Sequence, residues 1–83
     1  MLLSLKKYNF NIKFIVLNYY VNKNAQPNGD HEVHTAVCLY LPTLENRKYL
    51  GIFRSCSDAL AYAKETYPQS NGCYYCCREC HTR

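Results

Sequence analysis

The stretch Gly72-Cys73-Tyr74-Tyr75-Cys76-Cys77-Arg78-Glu79-Cys80-His81 decides how this chain is read. It holds two Cys-x-x-Cys units back to back, at 73/76 and at 77/80. A two-residue spacer lets a tight turn aim both sulfurs at one ion. Structural zinc takes four such ligands in a tetrahedron, usually supplied as two pairs. The upstream pair is His34-Thr35-Ala36-Val37-Cys38, a His-x3-Cys. Neighbouring Cα atoms lie only about 3.8 Å apart, below the usual disulfide range, so Cys76 and Cys77 are poor partners for a bridge. Adjacent side chains also diverge, so the two do not share one ion. The tail therefore offers Cys77 with Cys80, Cys73 with Cys76, or a mixed pair. We favour His34, Cys38, Cys77 and Cys80 as the metal ligands, with Cys73 and Cys76 as alternates.

Each of these residues also has a plainer reading. A strand histidine such as His34 is commonly just half-buried and hydrogen-bonded, and Cys38 suits a small buried position. Cys56 falls on a helical apolar stripe and reads as core. His31 sits in a polar loop and is expected to be solvated, with Asp30 and Glu32 beside it on the surface. His81 adjoins Cys80 and is a weaker substitute for His34.

Length and composition fit the metal. Eighty-three residues allow one domain, and chains this short often need a disulfide or a metal to supplement a modest core. Six cysteines mean either a disulfide framework in an oxidising compartment or metal ligands in a reducing one. Residues 1–17 superficially resemble a signal peptide, but Asn9, Asn11 and Lys13 interrupt the apolar run and no small-x-small cleavage site follows. No stretch approaches the roughly 20 apolar residues of a membrane span. The expected location is the cytoplasm, with residues 1–9 a loose extension and 10–83 a single domain. Net charge is +4 with scattered Lys and Arg, which permits a polyanionic partner without specifying one.

The remaining pattern is α+β: a small antiparallel sheet of about three strands, one helix, and the Cys-rich zinc-binding tail. Phe10 to Asn22 is rich in β-branched and aromatic residues and apolar on both faces, which predicts a central strand. Pro27-Asn28-Gly29-Asp30 is turn chemistry, and Glu32 to Tyr40 reads as a second extended segment, hairpin-paired with the first. Tyr49 to Arg54 is a short third strand. Ser55 and Asp58 form a Ser-x-x-Asp cap, and Cys56, Leu60, Ala63 and Tyr67 recur at helical spacing. Pro68 and Asn71-Gly72 end that helix.

On His34-x3-Cys38, on Phe53-Arg54-Ser55-Cys56-Ser57-Asp58-Ala59 before a helix, and on the glycine with Cys-x-x-Cys, the chain resembles the metal-binding domain at the N-terminus of the Ada DNA-repair protein. It also looks like small bacterial Cys-rich proteins with Tyr-Tyr-Val-Asn near the start and Cys-Cys-x-x-Cys-His at the end. The resemblance covers about residues 34–83. It implies a small α/β unit holding one zinc through His34, Cys38, Cys77 and Cys80. Two departures matter: Gly72 leads into a doubled cysteine run instead of a Gly-Tyr-x-Pro step, and His34 stands where that family carries its nucleophilic cysteine. The resemblance carries over zinc binding and leaves the methyl-transfer chemistry behind.

The expected function is a non-enzymatic zinc module that binds a nucleic acid or a protein through exposed tyrosines and scattered cations. A thiol-redox or metal-handling protein using surplus cysteines is the first alternative, and a secreted disulfide-stapled domain the second. The chain has no phosphate loop, no His-Glu-x-x-His and no nucleophile elbow.

Overall fold

A computed structural model describes residues 15–82. The predicted strand at Phe10–Asn22 therefore lies partly outside the described residues, as does the 1–9 extension. Within them the strand β1 runs Leu17–Asn22. It buries Tyr19 and Val21, the alternate positions that face the core by the period-two rule. On the opposite face Tyr20 stays half-buried, its ring 5.2 Å from that of Tyr49 and beneath the Arg47 guanidinium.

The turn at Pro27–Asp30 returns the chain as β2, His31–Thr35, antiparallel to β1 with Tyr20 opposite His34 and Val21 opposite Val33. This is the expected hairpin, shorter than the segment to Tyr40: after Thr35 the Cys38 N–H bonds the Thr35 carbonyl and the chain leaves the sheet in a turn. Strand β3, Arg47–Phe53, pairs antiparallel with the other edge of β1. Its register slips between Tyr19 and Tyr20, next to Gly51, whose φ of 125° suits a bulge that a side chain would strain. β1 is central, as its composition predicted.

Ser55 then caps helix α1, Cys56–Ala63, accepting the Asp58 N–H at 3.2 Å. The helix buries Cys56, Ala59 and Ala63, while Leu60 and Tyr67 pack only at the margin of the core. It stops at Ala63, a turn earlier than Pro68 requires; the Thr66 and Tyr67 N–H groups both close on the Ala63 carbonyl.

One element differs from expectation. Ser70–Gly72 is a fourth strand, β4, parallel to β2, and so the sheet is mixed, in the order β3-β1-β2-β4. The core lies between this sheet, α1 and the tail: Tyr19, Val21, Val33, Leu50, Cys56, Ala59, Ala63, Cys77 and Cys80. Among the described residues no helix is long and apolar enough to cross a membrane.

Candidate metal centre

The tail is positioned by the sheet it extends. Past the end of β4, the Cys73 N–H bonds the Val33 carbonyl, so Cys73 is held beside the C-terminal half of β2. The Cys77 N–H then closes on the Cys73 carbonyl, and the Cys80 N–H on the Cys77 carbonyl. These successive turns bring Cys73 and Cys76 to β2 and leave Cys77 and Cys80 in the core, and the adjacent Cys76 and Cys77 sulfurs, expected to diverge, lie 3.9 Å apart. Gly72 permits the fold-back: a Cβ there would stand 2.7 Å from the Cys77 carbonyl oxygen and 2.8 Å from the Cys80 Cβ. No side chain fits so close to backbone.

The turns bring Cys73 and Cys76 against His34 and Cys38. The four donor atoms all lie within 4.8 Å of one another. Cys38 Sγ is 3.9 Å from Cys73 Sγ, and Cys76 Sγ is 3.9 Å from His34 Nδ1. Sulfurs bound about 2.3 Å from a tetrahedral zinc sit about 3.8 Å apart, close to the 3.9 Å between Cys38 and Cys73. Each sulfur also accepts a backbone N–H, Cys38 from Tyr40, Cys73 from Tyr75 and Cys76 from Thr35, at 3.3–3.4 Å. Such donors stabilise the thiolate form that a metal needs.

The favoured pair is placed elsewhere. Cys80 is bonded to Cys56 in a disulfide, and Cys77 is fully buried in the core beneath α1. The alternates Cys73 and Cys76 occupy the positions beside His34 and Cys38. Both Cys-x-x-Cys units have the same spacing, and only the long-range bonds of Cys73 to Val33 and Cys80 to Cys56 separate them. Cys56 lies in the core as expected, and is cross-linked there as well.

Electrostatics follow burial. Burial lowers the His34 pKa to about 4, so its ring is neutral at neutral pH. Burial pushes the Cys73 thiol up to about 12 and raises that of Cys38. The Cys76 thiol is raised by its hydrogen bond to Cys77 and then by burial. Without a cation the three sulfurs are protonated; a divalent ion would have to displace those protons.

The other histidines stay outside the cluster. His31 is the first residue of β2 and not a solvated loop residue: its Nδ1 faces the Asn22 carbonyl at 2.9 Å and its ring stacks on Tyr67 at 4.1 Å. His81 Nδ1 meets the Gly72 carbonyl at 2.9 Å. Asp30 is buried, accepting from the Gln69 and Asn71 amides, where a surface loop was expected. Glu32 is half-buried, its Oε1 3.6 Å from His34 Nε2. The period-two spacing of residues 32 and 34 on β2 is the signal that would have paired them.

Cys38 and Cys76 also line an open hollow of about 370 Å³, with Thr35, Val37, Leu39, Tyr40 and Tyr75. Val37 and Leu39 are 83% and 95% exposed, and the Tyr40 and Tyr75 rings stack at 4.5 Å. The His/Cys cluster thus lies under an apolar surface. Comparison with protein-family models, curated proteins and solved structures finds no match for this chain.

Proposed function

We propose that this chain is a small, non-enzymatic zinc-binding module whose metal fixes a surface for a protein partner. The observation that carries the reading is the convergence of His34 and Cys38 with Cys73 and Cys76 from two stretches far apart in the sequence. Three thiolates and an imidazole form a closed, soft donor set of the kind zinc takes in structural sites. The ion would tie the turn after β2 to the tail, supplying cohesion that a core this small lacks.

The surface above the cluster favours a protein over a nucleic acid. Val37, Leu39, Tyr40 and Tyr75 are apolar or aromatic, and among the described residues no Lys or Arg lines the hollow. Tyrosine-rich apolar patches suit protein interfaces, whereas nucleic-acid grooves require cations. Arg47 and Arg78 lie over the Tyr20 and Tyr74 rings. The thiol-redox alternative loses its main support, since three cysteines belong to the cluster and two to the disulfide. Only Cys77 is left over, and it is fully buried. The grouped thiols suit a reducing compartment and the Cys56–Cys80 bond an oxidising one. Burial shields that bond from reductants, and we keep the cytoplasmic placement as part of this proposal.

Native mass spectrometry of protein purified without chelator tests the metal reading; one zinc per chain is expected, and a metal-free chain contradicts it. A salt titration against single-stranded DNA and RNA tests the partner class. Absence of binding at low salt is expected, and salt-sensitive binding would replace the protein partner with a polyanion.

A further inference from the structure

We propose that Glu32 is the positioning residue of the metal centre, holding the proton of His34 on Nε2 so that Nδ1 is the metal donor. The inference rests on the metal reading above and adds which nitrogen binds and what selects it. A neutral imidazole carries one N–H, and the group facing the other nitrogen decides which tautomer is present. His34 Nδ1 faces Cys76 Sγ at 3.9 Å, on the side of the sulfur cluster. Nε2 lies 3.6 Å from Glu32 Oε1, within ion-pair distance.

His34 is 1% and Glu32 17% exposed at the side chain, so the pair is largely withdrawn from solvent. The two residues alternate with Val33 along β2 and so share one face of the sheet. Around Glu32, the Gln26 side chain donates a hydrogen bond, and His81 and Asp30 lie within electrostatic reach. A carboxylate behind a metal-bound histidine fixes the ring and raises its basicity, and its loss commonly lowers metal affinity about 10–100-fold.

The test compares the full chain with Glu32→Ala and Glu32→Gln in two measurements: zinc affinity by chelator competition, and the His34 ring tautomer by ¹H–¹⁵N correlation in the metal-free protein. Glu32→Ala is expected to bind zinc about 10–100-fold more weakly and to lose the single Nε2–H tautomer. Glu32→Gln keeps an acceptor without the charge, so it should retain the tautomer with an intermediate affinity; it also serves if the alanine variant fails to fold. Unchanged affinity and tautomer in a folded Glu32 variant would overturn this inference while leaving the metal reading intact. A wild-type chain that takes no zinc would overturn both.

Discussion

Cys38 Sγ lies 3.9 Å from Cys73 Sγ although 35 residues separate them in the chain. One sulfur follows the turn after β2 and the other follows β4, so their approach reports the parallel pairing of those two strands. The His34, Cys38, Cys73 and Cys76 cluster and the sheet are thus built together.

That relationship divides the cysteines by consequence. Cys73→Ser and Cys76→Ser are each expected to abolish stoichiometric zinc binding. Cys77→Ala is expected to retain it while destabilising the fold by about 1 kcal/mol through lost packing. Metal content after dialysis checks this, and zinc loss in the Cys77 variant alone would reassign the tail ligands.

The pH dependence follows from the protons that must leave. His34 stays neutral down to about pH 4, so above that only the thiols of Cys38, Cys73 and Cys76 are discharged on binding. Apparent zinc affinity should fall about a thousandfold per pH unit between roughly pH 8 and 5, three protons per ion. Calorimetry in buffers of different ionisation enthalpy counts them; four would point to a fourth cysteine in the site.

Without metal, stability should decline at both extremes of pH. The raised Cys73 value gives a contribution present below about pH 9 and lost as pH rises toward about 12. The lowered His34 value gives one present above about pH 6.5 and lost as pH falls toward about 4. Thermal melts of the metal-free chain across both windows check the signs; a flat profile contradicts them.

The disulfide uses two cysteines outside the His34, Cys38, Cys73 and Cys76 cluster. Cys56 and Cys80 are 24 residues apart, and a loop of that size gives a cross-link worth about 3 kcal/mol. Cys56→Ala with Cys80→Ala should lower the denaturant midpoint accordingly and leave zinc stoichiometry at one. Loss of zinc in a folded double variant would show the two sulfur systems to be coupled.

Gly72→Ala should cost about 1–3 kcal/mol, the range for forced overpacking. The added methyl would meet the Cys77 carbonyl and Cys80 Cβ, both held by the tail's own bonds. Because the displaced tail carries Cys73 and Cys76, zinc affinity should fall with stability. A melting temperature equal to that of the wild type would contradict the close approach.

Much of this architecture is local and therefore legible. The Ser55 cap, the helix start at Cys56 and the turn at Pro27–Asp30 follow from side chains acting on their own backbone neighbours. The centrality of β1 follows from Tyr19 and Val21 and their apolar surroundings. Strand β4 is illegible for the opposite reason: Ser70-Asn71-Gly72 has turn composition, and it is a strand only because β2 offers a free edge. The choice between the two Cys-x-x-Cys units fails in the same way. Equal spacing cannot distinguish them, whereas the Cys73–Val33 ladder bond and the Cys56–Cys80 bridge do. Burial of Asp30 likewise depends on amides from Gln69 and Asn71, 39 and 41 residues away.

X-ray absorption at the zinc edge tests the shared-ion claim most directly. A first shell of three sulfurs at about 2.3 Å and one nitrogen at about 2.0 Å is the predicted result. A shell of four sulfurs, or one made only of oxygen and nitrogen, would contradict it.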